Sequence, residues 1–203
     1  MTILLSDPRV AEVPVRDDGS HLVPLDFAPH VLVRGALAER LARARTHLPA
    51  GTDLLVVEGH RSRSDQQAII DAYSSELRLL HPGADAVEIR RLSSRFVAPI
   101  EVAPHVAGAA VDLTLVDAHG RELDMGTPID ATPEQSAGAC WFDAPVSAEA
   151  RRNRTVLADA LGREGLVNYP TEWWHWSYGD RYWALSHGAP CALFGPVDVA
   201  LVA

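Results

Sequence analysis

The sequence has little cysteine and no long hydrophobic run. Its two cysteines, Cys140 and Cys191, are too few for a disulfide framework, and the absence of a C-x-x-C pair argues against a cysteine-based zinc site. No segment is long and apolar enough for a transmembrane helix. The first ten residues lack the basic and apolar regions of a signal peptide. These absences predict a cytoplasmic protein that does not associate with membranes.

Basic residues are also in the minority. The formal net charge is −9, which argues against nucleic acid or an anionic membrane as a partner. The chain has 203 residues, of which 47% are hydrophobic, and this size and composition predict one domain, residues 1–203, with one substantial core. Prolines and a D-D-G turn near the start predict that residues 1–29 form an extended arm packed on that domain.

Apolar spacing predicts a succession of helices and short strands. Helical intervals predict helices over residues 31–48, 62–80, 84–96 and 147–165. Short apolar or alternating runs predict strands over residues 54–57, 111–116, 121–125, 168–178 and 182–185. Residues 126–147 have no period, and a loop of this length is usually functional. Helices around a few short strands predict an α+β fold.

His105 and Asp112 occur in A-P-H-V-A-G-A-A-V-D, where a chain reversal at Gly108 would aim both side chains at one point. Asp112 is the more informative residue, because a carboxylate in an apolar strand is costly unless it is paired or bound to a metal. The alternative, a structural core aspartate beside a surface histidine, remains open at this stage.

Glu172 and His175 occur in E-W-W-H, three residues apart. The tryptophans favour a strand, on which this spacing points the two side chains to opposite sides, so a bulge or a strand end is needed to bring them together. Bulky indoles around two ionisable groups exclude water, which suits catalysis. An aromatic core strand with an incidental polar pair is the alternative.

His105, Asp112 and His175 together predict a catalytic zinc centre. Two imidazoles and one carboxylate hold Zn²⁺ and leave a fourth position open for water. Glu172, close to a ligand, is then the candidate to take a proton from that water. Another divalent metal also fits such a set, since selectivity depends on geometry and availability as well as ligand type.

Arg61 and Asp130 are weaker candidates on pattern alone. Arg61 follows a buried strand in E-G-H-R-S, where it can stabilise an oxyanion or simply lie at the surface in an ion pair. Asp130 begins the long loop, where it can receive a substrate ammonium group or remain a solvated aspartate. Trp174, with the 126–147 loop, is predicted to close a small substrate cavity.

These segments together resemble the D-alanyl-D-alanine dipeptidases of the vancomycin-resistance type, within the zinc D,D-peptidases. The resemblance covers about two thirds of the chain, from Leu54 to Ala184. It is carried by E-G-H-R-S, H-V-A-G-A-A-V-D-L-T-L, E-L-D-M-G-T-P-I-D and E-W-W-H-W, in that order. It implies a D,D-peptidase/hedgehog-like fold, with a small, mostly antiparallel sheet flanked by helices, and a role in peptidoglycan metabolism or antibiotic resistance.

The resemblance also implies a role for each matching residue. His105, Asp112 and His175 bind one Zn²⁺ per chain, Glu172 is the general base and acid, and Arg61 polarises the scissile carbonyl.

Asp130 then holds the free amino group of a small peptide substrate. Ala103 and His60 depart from the family's usual serine and tyrosine. The alternatives are a D,D-carboxypeptidase or L,D-peptidase acting on longer peptides, or a non-catalytic zinc-binding module.

Overall fold

The computed structural model describes residues 2–197 and confirms the α+β fold. The helices are α1 (Pro8–Glu12), α2 (Gly35–Arg45), α3 (Arg63–Leu80), α4 (Ala86–Ser93), α5 (Ala148–Arg163) and α6 (Arg181–His187). The strands are β1 (Leu22–Leu25), β2 (Ala28–Arg34), β3 (Thr52–Glu58), β4 (Ala110–Asp117), β5 (Val167–Asn168) and β6 (His175–Ser177). Within residues 2–197, no helix is long and apolar enough to cross a membrane. The assignment of residues 1–203 to one domain stays a prediction.

Two small antiparallel sheets organise the fold. Strands β1 and β2 form a hairpin, and the larger sheet has the order β3-β4-β6-β5. Strand β4 is buried from Ala110 to Val116. Val111, Leu113 and Leu115 on β4 join helices α2 and α5 in the main core. Because side chains alternate along a strand, Asp112 faces the opposite side of the sheet from that core.

Serine side chains begin the two longest helices where the sequence predicts. Ser62 Oγ accepts the Asp65 N–H at the start of α3, over 3.1 Å. Ser147 Oγ accepts the Ala150 N–H at the start of α5, over 3.0 Å. Each bond satisfies one of the N–H groups that a helix leaves free at its first turn.

Three predicted elements differ from the structure. The strand predicted over residues 121–125 is reduced to a single bridge between Glu122 and Val116, and two other elements are of the wrong type. The helix predicted over residues 31–48 starts only at Gly35, because the preceding P-H-V-L-V segment pairs with β1 as strand β2. The strand predicted over residues 182–185 lies within α6. Asp180 begins that helix by accepting the Trp183 N–H over 2.8 Å, and so short an apolar run does not separate strand from helix.

The arm predicted over residues 1–29 is not extended throughout, since it contains helix α1. Its first part is tied to the rest of the chain near the strand end that carries His175. The Leu5 N–H donates to the Tyr169 hydroxyl over 3.0 Å, and that hydroxyl donates to the Ser94 carbonyl. Leu5 is buried in the same apolar cluster as Tyr169.

Candidate active site

Glu58, Asp112 and His175 form one row across three neighbouring strands. Asp112 on β4 is the register partner of both Glu58 on β3 and His175 on β6. Paired positions of antiparallel strands point their side chains to the same face. The register of β3 shifts between Val56 and Glu58, and this bulge turns Glu58 towards the Asp112 side. The sheet thus collects three polar side chains on the face away from the main core.

His105 joins this row from a single 3-10 turn, His105–Ala107, that precedes β4. The next residue, Gly108, has φ 63°, a left-handed conformation that lets the chain reverse into the strand. His105 Nε2 lies 3.1 Å from His175 Nδ1 and 3.3 Å from the Asp112 carboxylate. Asp112 Oδ1 lies 3.0 Å from His175 Nδ1. The structure therefore brings the three predicted ligands together, and all three are buried.

The backbone sets the orientation of His105. Its Nδ1 lies 2.7 Å from the Gly59 carbonyl oxygen. A carbonyl only accepts, so this bond places the proton on Nδ1 and leaves the Nε2 lone pair directed at the other two residues. Histidines that bind metals commonly use the second ring nitrogen in this way.

The donor set fits a divalent cation. The three candidate ligand atoms lie within 4.8 Å of one another, and two donors at about 2.1 Å from one tetrahedral zinc ion lie roughly 3.4 Å apart. Burial acts to raise the pKa of Asp112, but His105 and His175 outweigh it and hold that pKa below its usual value. The set is therefore an ionised carboxylate with two imidazoles.

Glu172 lies in the turn between β5 and β6, so a strand end brings it beside His175. The side-chain amide of Asn168 donates to the carbonyls of Glu172 and His175, over 2.9 Å in each case, and fixes the turn. Glu172 Oε2 lies 3.9 Å from His175 Nδ1. Burial, followed by the charges of Asp112 and Asp130, raises the pKa of Glu172 well above its ordinary value. A carboxylate with a raised pKa is a stronger base.

Arg61 is held in place by two neighbours. Its Nε and Nη2 both bond to the Glu58 carboxylate, and its Nη1 donates to Gln66 Oε1 over 2.9 Å. Gln66 in turn donates to the Ala98 carbonyl over 2.8 Å. Burial acts to lower the pKa of Arg61, but Glu58 outweighs it and the pKa is raised. Of the five guanidinium N–H groups these bonds use three, so two remain for another acceptor.

The donor set, Glu172, Arg61 and Asp130 all line one cavity of about 320 Å³. Such a volume is at the small end of ligand sites, which measure about 300–1,000 Å³. Asp130 enters it from the long loop with φ 63°. A non-glycine residue in this conformation is strained, and such strain clusters at functional sites. Burial, followed by the charge of Asp112, raises the pKa of Asp130.

Trp174 does not line this cavity. Its side chain is 1% exposed and belongs to the main core, where it packs edge-to-face on Trp173 with ring centres 5.5 Å apart. The turn that aims Glu172 and His175 at the cavity directs both intervening indoles into the core. The prediction that Trp174 closes the substrate cavity is therefore wrong.

Glu58, Gly59 and Gln66 also support the site, although the sequence does not predict a role for them. Glu58 and Gln66 hold the Arg61 guanidinium, and Gly59 supplies the carbonyl that orients His105. The role of Glu58 could have been predicted, because it is an acidic residue at a strand end, three positions before Arg61. The role of Gln66 could not, because it depends on how α3 packs against the segment around Ala98.

Replacing Gly59 by alanine is expected to lower the free energy of unfolding by about 1–3 kcal/mol, the usual cost of overpacking. A Cβ here would lie 2.5 Å from the Leu32 carbonyl oxygen and 2.6 Å from Val31 Cγ1, so backbone has to move. Denaturant titration measures the effect. Gly162→Ala is the control, because nothing lies within 4 Å of its added Cβ in α5. Equal stability of the two variants would contradict the close approach at Gly59.

The chain matches one protein family and is similar to two relatives that carry the same description. Residues 20–190 match the family described as D-ala-D-ala dipeptidase. The chain is 26% identical to a D-alanyl-D-alanine dipeptidase of Synechocystis sp. over 216 aligned positions, covering 85% of this chain and 87% of the relative. It is 41% identical to a D-alanyl-D-alanine dipeptidase of Escherichia coli (strain K12) over 71 residues, 35% of each chain.

Among solved structures, the vancomycin resistance D,D-dipeptidase VanXYg, in complex with a D-Ala-D-Ala phosphinate analog, superposes with a TM-score of 0.46. It is 22% identical, over 87% of this chain and 64% of that chain. The family match spans most of the described structure, including every residue of the donor set. The chain therefore belongs to the D-Ala-D-Ala dipeptidase family of metallopeptidases.

Proposed function

We propose that the protein is a zinc-dependent dipeptidase that hydrolyses the peptide bond of D-alanyl-D-alanine or a similar short D-amino-acid dipeptide. One observation carries the proposal: a single small cavity combines the His105–Asp112–His175 donor set with Glu172, Arg61 and Asp130. The names of the two relatives support the choice of substrate class.

His105, Asp112 and His175 would hold one zinc ion per chain. When bound, Zn²⁺ supplies Lewis acidity, which makes water a stronger acid and a carbonyl a stronger electrophile. Two features suit these residues to binding the ion. The Gly59 carbonyl orients the His105 lone pair, and burial of all three side chains limits competition by solvent.

Glu172 acts as the general base and then as the general acid. Its carboxylate lies beside the donor set and removes the proton of the attacking water. The same carboxyl then returns this proton to the amine that leaves when the peptide bond breaks. Its raised pKa suits both steps, because the group has to bind a proton and release it within one turnover.

Arg61 and Asp130 bind the substrate on either side of the reacting carbonyl. The two N–H groups of Arg61 that its neighbours leave free donate to the carbonyl oxygen, where negative charge develops during attack. Asp130 accepts the free ammonium group of the dipeptide. A carboxylate at this point favours a substrate with a free amino terminus close to the scissile bond.

The test is release of D-alanine from D-Ala-D-Ala by the purified, zinc-loaded protein, with L-Ala-L-Ala, L-Ala-D-Ala and a pentapeptide ending in D-Ala-D-Ala run alongside. Hydrolysis of the D,D dipeptide alone is the expected result. Hydrolysis of the pentapeptide in preference to the dipeptide would make the protein a D,D-carboxypeptidase, and hydrolysis of an L,D bond would make it an L,D-peptidase. A zinc-loaded protein inert on all four would be a non-catalytic zinc-binding module.

Removal of the metal is expected to abolish hydrolysis, and one equivalent of zinc is expected to restore it. His105→Ala deletes one of three ligands and is expected to weaken zinc binding by at least about tenfold. Equilibrium dialysis with elemental analysis measures the bound metal. His119→Ala, an exposed histidine outside the cavity, is the matched control and should bind one zinc per chain. Full zinc content in His105→Ala would remove this residue from the ligand set.

A further inference from the structure

Part of the cavity wall is apolar and has no role in the proposed hydrolysis. Besides the charged and polar groups, the lining includes apolar residues, which together are called the apolar wall: Leu5, Ile69, Phe96, Val97, Ala98 and Pro104. The methyl side chains of D-Ala-D-Ala are too short to cover a surface that includes a phenyl ring and three branched aliphatic side chains. This wall is therefore suited to a larger apolar side chain.

Leu5 has an unusual origin within this wall. The matched family region begins at residue 20, whereas Leu5 belongs to the N-terminal arm. The arm holds it firmly, because the Leu5 N–H donates to the Tyr169 hydroxyl and that hydroxyl bonds to the Ser94 carbonyl. Its side chain is 4% exposed and packs in one cluster with Ala98, itself part of the cavity wall.

We propose that Leu5 is a specificity-determining residue, which limits the size of the apolar side chain that a D-dipeptide places against this wall. The inference rests on the proposed function and deepens it. The substrate class it names is D-dipeptides with one apolar side chain, accepted up to the size at which it meets Leu5.

The geometry explains why Leu5 controls size while its neighbours do not. Ile69, Phe96 and Val97 pack in the cluster between α3 and α4, where a change of volume disturbs helix packing. Leu5 lies on the N-terminal arm, outside these two helices, and its backbone N–H bonds to the Tyr169 hydroxyl whatever side chain the position carries. Altering its side chain changes the cavity length and leaves the polar groups in place.

The test compares kcat/KM for D-Ala-D-Ala with kcat/KM for D-Ala-D-Phe and D-Phe-D-Ala. Leu5→Ala is expected to raise the ratio of one phenylalanine dipeptide to D-Ala-D-Ala about tenfold, in line with the effect of a few methylenes in an apolar pocket. Leu5→Phe is expected to lower the same ratio. Leu4→Ala is the matched control, since Leu4 borders a different cavity and should leave the ratio unchanged.

Affinity for the same dipeptides, measured by calorimetry, distinguishes failure of the proposed function from failure of the Leu5 proposal. If the wild-type protein hydrolyses no dipeptide, the proposed function fails. A change in the affinity ratio in the Leu5 variants would then still support the role of Leu5 in limiting side-chain size. Circular dichroism verifies that each variant is folded, and Leu5→Val, which removes a single carbon, replaces Leu5→Ala if the latter is not. Rate and affinity ratios equal to wild type in the folded Leu5 variants would overturn the proposal.

Discussion

Glu172→Gln is expected to reduce kcat for hydrolysis of the D-dipeptide by about 10²–10⁴-fold, the usual contribution of a general base. Glutamine has nearly the same shape and cannot take up a proton. The zinc content is expected to stay at one ion per chain, because the three candidate ligand atoms come from His105, Asp112 and His175. Steady-state kinetics and elemental analysis of the same sample test both halves of this result.

The control for this substitution is Glu122→Gln, which changes an exposed glutamate at the turn after β4 and should leave kcat unchanged. Two outcomes would count against the assigned role. A Glu172→Gln variant that keeps more than about a tenth of the wild-type rate has its base elsewhere. A variant that loses both zinc and activity would show that Glu172 supports the donor set instead of moving protons.

Arg154→Met is expected to lower the free energy of unfolding by about 4 kcal/mol, because buried carbonyls that lose a hydrogen bond cost about 1–3 kcal/mol each. Arg154 is fully buried on α5, and among residues 2–197 its guanidinium donates to four backbone carbonyls, those of Met125, Ala139, Trp141 and Phe142. Burial, followed by the charge of Arg151, lowers the pKa of Arg154 to about 10. Arg154 thus fixes the backbone of the long loop that contains Asp130.

Thermal unfolding measures this effect, and a loss of that size corresponds to a fall of roughly 8–16 °C in Tm for a chain of this length. Arg152→Met on the same helix is the matched control, because Arg152 is exposed and the same atoms are exchanged. Arg154→Lys is expected to fall between the two, since an ammonium group keeps the charge and reaches fewer carbonyls. A fall in Tm of less than about 2 °C for Arg154→Met would contradict the proposed role of Arg154 in fixing the loop.

The local features of the fold were predictable from the sequence because they depend on neighbouring residues. Ser62 and Ser147 begin helices through bonds to N–H groups three residues away, and apolar periodicity marks the helix faces that enter the core. The elements with the wrong type, β2 and α6, are short, and their state is decided by partners. Strand β2 forms because β1 lies beside it.

The candidate site was predictable only where chemistry made residues conspicuous. A carboxylate in an apolar strand and ionisable residues between tryptophans stand out in a single sequence, so Asp112, Glu172 and His175 could be named. The roles of Gln66 and Arg154 could not, because each side chain is fixed by backbone carbonyls far away in the sequence, that of Ala98 for Gln66 and those of the long loop for Arg154. Trp174 was misplaced for a related reason, since spacing does not reveal which side of a turn faces the core.

The pairing of Asp112 with His175 in the register of β4 and β6 has a practical consequence for judging preparations of this protein. A molecule that pairs these strands one residue out of place turns one of the two candidate ligands to the opposite face. It keeps its sheet and its helices, so circular dichroism does not distinguish it from the native protein. With the proposed zinc site, the zinc bound per chain distinguishes the two forms and so counts the correctly assembled molecules in a sample.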